Sequence, residues 1–247
     1  MHHRLLVHPV SKGPRALPVL LLALFVLPGC IGWSPPIRGA LDGMPERGNA
    51  GRASAAIIGA AGNAFGAEAE LGVHVDETTR LRVGGGWYTG AAMGSFGAQF
   101  LLVDRPAVRF GLGVDLGFAF GGEEVDQTAN EDDNNPANEG LAIGGAMNAV
   151  VGLPFHRYGQ LTIPLRLQVT DVPSNTMVPT TLYVQGGLGW HADWTSWFFT
   201  RLDANVTWLQ TVEAIGEQST ESLVGLTGMV VLGFRFGPDA TDAPAAP

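Results

Sequence analysis

The chain has 247 residues, 46% of them apolar and only 15% charged, with 14 Lys and Arg against 23 Asp and Glu and a formal charge of −9 at pH 7. An acidic chain without basic clusters is excluded as a nucleic-acid binder, because phosphates demand Lys and Arg. Its single cysteine, Cys30, excludes an intramolecular disulfide framework.

Arg4, Lys12 and Arg15 form a positive N-terminal region ahead of an apolar stretch from Leu17 to Leu27. That stretch is too short to span a bilayer, which needs about 20 apolar residues, and it reads as a signal peptide over residues 1–29. Leu27-Pro28-Gly29-Cys30 resembles the lipobox of bacterial lipoproteins, with leucine three places and a small residue one place before the acylated cysteine. Cys30 is therefore the expected lipidation site. Loss of residues 1–29 removes those three basic side chains and no acidic one, so the formal charge moves from −9 to −12 and no lysine remains. Residues 30–53 contain Pro35, Pro36 and Pro45 and no apolar periodicity, and are expected to form a lipidated tether.

From about residue 64 the pattern changes to a period of two, the signature of strands with one apolar and one polar face. Phe65, Ala67, Ala69, Leu71, Val73 and Val75 alternate with Glu68, Glu70, Gly72 and His74. After Asp76-Glu77-Thr78-Thr79, Leu81, Val83 and Trp87 alternate with Arg80, Arg82 and Gly84; then Phe96, Ala98, Phe100 and Leu102 with Ser95, Gly97 and Gln99. The clearest segment sets Val108, Phe110, Leu112, Val114, Leu116, Phe118 and Phe120 against Arg109, Gly111, Gly113, Asp115 and Gly117. Further strands are predicted at 141–153, 161–170, 182–191, 198–208 and 224–236, the last with Met229 and Val231 weakening its polar side. No helical periodicity competes. Ser54 to Ala61 is a weak additional candidate. Single-chain bacterial barrels have even strand numbers, so it makes the expected fold an all-β, antiparallel up-and-down transmembrane β-barrel of ten strands over residues 54–237, with eight as the alternative. Residues 238–247 form an Ala/Pro tail.

Connections alternate in length. Short turns are expected at 76–79, 104–107, 154–159 and 193–196, and longer loops at 89–94, 121–140, 171–180 and 210–222, as in outer-membrane barrels with short periplasmic turns. A soluble lipocalin-like calyx binding an apolar ligand is the rival fold, and alternation alone does not distinguish the two. Charge does: a water-facing polar face should be rich in charged residues, whereas this one has no lysine and many glycines. Glu68 and Glu70 lie across the first turn from Arg80 and Arg82 on one face, a polar cluster expected to pair in the lumen. Aromatics gather near both strand ends, Trp87, Phe118, Phe120 and Trp208 towards the loops and Phe155, Trp190, Trp194, Trp197, Phe234 and Phe236 towards the turns, as bilayer interfaces select.

On these features residues 54–236 resemble the small outer-membrane barrel superfamily of OmpA-like and OmpX-like proteins, in architecture and not through a sharp motif. Barrels of that kind commonly end on an aromatic, whereas Phe236 here is followed by Gly237 to Pro247. The resemblance implies outer-membrane location, assembly by the barrel-assembly machinery, contact with outer-membrane lipid and lipopolysaccharide, and a monomer.

Some such barrels are lipid-modifying or proteolytic enzymes, a third reading. Past residue 29 the chain holds only His74, His156 and His191. His191 and Asp193 fall near a short turn, away from the outer rim where those enzymes work. No catalytic constellation, cofactor site or metal site is expected. Glu123, Glu124, Asp126, Glu131, Asp132 and Asp133 make an acidic outer loop, read as solvated and bridged to lipopolysaccharide by divalent ions. The expected function is non-enzymatic: a structural or surface-interaction role with at most a narrow pore.

Overall fold

The structure, a computed structural model, describes residues 36–62, 65–88, 91–120, 141–156, 159–173, 180–212 and 222–237. The strands are β1 (Ala53–Gly62), β2 (Gly66–His74), β3 (Thr79–Tyr88), β4 (Ala91–Asp104), β5 (Arg109–Phe120), β6 (Leu141–His156), β7 (Gly159–Asp171), β8 (Thr180–Asp193), β9 (Phe198–Val212) and β10 (Ser222–Phe236). Each pairs antiparallel with its chain neighbours, and β1 pairs with β10 to close a ten-stranded barrel. Closure matters because it leaves no strand with unpaired backbone groups, the condition for β structure in hydrocarbon.

The apolar face looks outward. On β5, Leu112, Val114, Leu116, Phe118 and Phe120 are all exposed, Leu116 by 55%, while Asp115 between them is 3% exposed. On β7, Leu161, Leu165, Leu167 and Val169 face out while Thr162, Arg166, Gln168 and Thr170 are buried. This is the reverse of a soluble calyx. In water it would present apolar surface far larger than the few hundred Å² a soluble monomer tolerates; in a bilayer it is an apolar band around a polar interior. The aromatics follow the band's edges. Trp87, Phe118 and Phe120 are exposed towards one end, and Phe155, Trp190, Trp194, Trp197 and Phe236 towards the other. Phe234 stacks on Trp197 with centroids 6.1 Å apart.

The first strand of the barrel is real, and its faintness in the sequence has a cause. Its inner face is Ala56, Ile58 and Ala60, opposite Gly233, Val231 and Met229 of β10. Both sides of this seam are therefore apolar, and the inner side packs with Ala40 and Tyr88. Short turns occupy 75–78, 105–108 and 194–197 at one end of the barrel, where β6 ends at His156 and β7 begins at Gly159 and which also holds Ala53 and its partner Phe236; the turn expected at 154–159 lies partly outside the described residues. At the first turn the N–H groups of Thr78 and Thr79 each donate to Asp76 at 2.8 Å, and they hold its carboxyl below the usual carboxylate range. At the loop end, the connection expected at 89–94 is shorter: β4 begins at Ala91, and Ala91 to Gly94 pair with Tyr88 to Gly85. These small residues carry too little hydropathy contrast for alternation to show. Pro164, which has no N–H to give, coincides with a gap in the β7–β8 ladder between Thr162 and Leu165.

Residues 36–50 depart from the tether expected there. They lie inside the barrel, with Ile37, Arg38, Ala40, Leu41, Asp42 and Met44 all buried. A Pro/Gly-rich segment has no periodicity because it forms no strand or helix of its own; its conformation is set by the wall around it.

Candidate functional site in the lumen

The lumen is filled by ion pairs between this N-terminal segment and the barrel wall. Arg38 is the hub. Its guanidinium bonds Glu68 at 3.0 Å and Glu70 on β2, lies 3.2 Å from Asp42 of its own segment, and 3.7 Å from Asp115 on β5. Glu68 also accepts from the Ala40 N–H at 3.1 Å. Arg82 on β3 forks onto Asp115, from Nε at 3.0 Å and from Nη2 at 2.5 Å, and reaches Asp42 at 2.5 Å. Asn148 on β6 donates to Asp115 at 2.8 Å and accepts from Arg166 Nε at 2.7 Å. Arg166 then donates to the segment's own carbonyls, at Arg38 (3.2 Å) and Ala40.

Arg38, Arg80, Arg82 and Arg166 thus face Asp42, Glu68, Glu70 and Asp115, and the charges of this group cancel. Burying ions is costly unless each is paired and its remaining donors are satisfied. Planar guanidinium forks meet that demand better than ammonium groups would, which fits the use of arginine alone in the lumen.

A second cluster closes the turn end. Arg201 on β9 donates to Asp203 at 2.6 Å and to the Leu41 carbonyl at 2.6 Å. Arg235 on β10 donates to Glu46 and, at 2.6 Å, to Asp193, with its guanidinium 4.5 Å over the Phe199 ring. His191 lies 3.1 Å from Asp193 and 3.6 Å from Glu46, and stacks on Phe199. Glu46, His191 and Asp193 place ligand atoms within 4.8 Å of one another. Arg235 already supplies the positive charge that a metal ion would bring, so the geometry is that of an ion-pair cluster.

Of the residues singled out in the sequence, Glu68, Glu70, Arg80 and Arg82 all point into the lumen. Arg80 pairs with Glu70 at 2.8 Å and also donates to Gln99 at 3.0 Å and Ser54 at 2.7 Å. Glu68 is bound by Arg38 and not by a strand arginine, and Arg82 turns to Asp42 and Asp115. Cys30 and the acidic loop residues Glu123, Glu124, Asp126, Glu131, Asp132 and Asp133 lie outside the described residues. Sequence reasoning missed Arg38, Asp42 and Glu46 entirely. It placed Asp115 on a polar face and left Arg166, Arg201 and Arg235 within predicted strands without assigning them a site; their charge at inward parity was the available signal.

No protein-family model matches the chain, and a search of curated proteins finds no match. Solved structures do resemble it. A bacterial polysaccharide outer membrane secretin matches with TM-score 0.43 and 13% identity over 72% of this chain. The outer membrane protein OmpT of Vibrio cholerae matches with TM-score 0.36 and 10% identity over 70% of it. The chain spans only 58% and 56% of those two proteins' lengths. LpxR from Salmonella typhimurium is similar over 73% of this chain and 99% of its own, at TM-score 0.37 and 8% identity. These are likenesses of fold at low identity.

Proposed function

We propose that the chain is a non-enzymatic protein of a Gram-negative outer membrane, a barrel sealed by its own N-terminal segment that acts as a structural or surface-interaction element. The supporting observation is the combination of a closed barrel, an outward apolar band and a lumen occupied from end to end by an ion-paired segment. Ten strands enclose a lumen that side chains nearly fill, whereas aqueous channels need roughly 16. Here the backbone of residues 37–47 takes the remaining space. The turns face the periplasm and the loops the outside, where the acidic loop at 121–140 meets lipopolysaccharide and divalent ions. The protein is a monomer that depends on the barrel-assembly machinery. His191 has carboxylates, an arginine and a phenyl ring around it at the turn end, an arrangement that supports packing rather than proton transfer to a substrate.

Planar-bilayer recording tests the sealed lumen. The full chain is expected to give no steady channel, and a variant lacking residues 37–47 is expected to give a narrow one. A large, steady conductance from the full chain would overturn the reading.

A further inference from the structure

We infer that the chain is threaded through its own barrel, entering the lumen from the loop side at Pro36 and leaving it at the turn end before β1. With the orientation proposed above, on which this last step rests, that entry opens at the cell surface.

The order of contacts along the segment carries this. Ile37 lies against Gly117 and Gly144, each three residues in from a loop-end residue, Phe120 or Leu141; a Cβ on either glycine would come within 3.0 or 3.1 Å of it. Gly39 faces the ring of Tyr88, the last residue of β3 before the loop end. Arg38 and Asp42 meet Glu70, Arg82 and Asp115 at mid-barrel. Met44 then packs with Leu101 and Val150, and Pro45 sits where a side chain on Gly111 would go, near the start of β5. Arg47 pairs with Asp104 at 3.0 Å and the Gly48 N–H donates to Glu77 at 3.3 Å, both at the turn end. At Gly51, with φ +85°, the chain reverses and enters β1. The direction is therefore from loops to turns, without a fold-back.

Chain length closes the alternative. Cys30 stands six positions before Pro36, a reach of about 20 Å at ~3.3–3.6 Å per residue, short of a hydrocarbon core about 30 Å thick. A return through the lumen is also blocked. Beside the segment, the cavity lined by Arg38, Glu46, Glu70, His191 and Arg235 is about 60 Å³, room for a few waters and not for a second strand. Were Cys30 acylated, its lipid would thus be expected to reach only the loop-side leaflet.

The test is a short epitope inserted between Ser34 and Pro35 of the full chain, with matching epitopes in the 121–140 loop and in the 105–108 turn, probed by antibody on intact and on permeabilised cells. The Ser34/Pro35 epitope is expected to label intact cells as the loop epitope does, with the turn epitope labelled only after permeabilisation. Labelling that follows the turn epitope overturns threading. If loop and N-terminal epitopes are both hidden while the turn epitope labels intact cells, threading stands and the proposed orientation falls. Should the insertion block assembly, a chain carrying Ser34→Cys and Cys30→Ser, treated on intact cells with a membrane-impermeant maleimide, provides a second readout. Labelling before permeabilisation supports the threaded path, and labelling only after it, together with the turn epitope, refutes it.

Discussion

Replacing Arg38 with methionine is expected to destabilise the barrel by about 3–5 kcal/mol, the usual penalty for removing one partner from a buried ion pair. The side chain is 3% exposed and serves Glu68, Glu70 and Asp42 together, so its loss strands carboxylates in a lumen that water barely enters. Urea unfolding in detergent, followed by the mobility difference between folded and unfolded barrel on a gel, reads the change. Arg38→Lys should fall in between, since a point charge cannot fork across two carboxylates. Adding Glu68→Gln and Glu70→Gln to Arg38→Met should recover part of the loss, because an uncharged set leaves no unpaired ion. An Arg38→Met barrel as stable as the parent would mean that residues 36–50 are not lodged where the structure puts them.

The outer face gives the second large effect. Leu165 stands at the middle of β7 and is 58% exposed, while Trp194 in the turn after β8 is 57% exposed. If the surrounding medium were water, arginine at either place would be tolerated alike. In a bilayer the depths differ: Leu165→Arg is expected to cost about 2–4 kcal/mol and Trp194→Arg about 0–1 kcal/mol. Refolding equilibria into lipid vesicles separate the two outcomes. Equal costs at the two sites would remove the membrane from the account of this surface.

Much of the wall was legible in the sequence because each strand residue faces one of two media, and Leu112 to Phe120 against Asp115 shows that division in a single segment. Legibility failed where contrast failed. Ala56, Ile58 and Ala60 line an apolar seam, so β1 lacked a polar face to announce it, and Ala91 to Gly94 are too small to mark either side. The lumen site was half legible. Glu68, Glu70, Arg80 and Arg82 share a face by simple parity, and parity holds across one turn. Their actual partners do not follow from spacing: Arg38 meets Asp115 and Arg166 across the barrel, and nothing local in a Pro/Gly-rich stretch says which distant charges will surround it. Long-range pairing of this kind is fixed only by closure.

The partners that hold residues 37–47 come from β2, β3, β5, β7, β9 and β10, and the segment is covalently continuous with β1, which must still find β10. The order of assembly is thereby constrained. The wall is not expected to be completed first and the strand drawn in afterwards, since a closed ring offers no gap for a peptide with four arginine partners on the wall. The expected order is therefore that strands accrete around the segment and the β1–β10 pairing, which joins the two ends of the barrel at the greatest sequence separation, forms last. An intermediate stalled short of that zipper would expose both an open sheet edge and a row of unmatched charges, two signals by which quality-control proteases and chaperones could tell an unfinished barrel from a finished one.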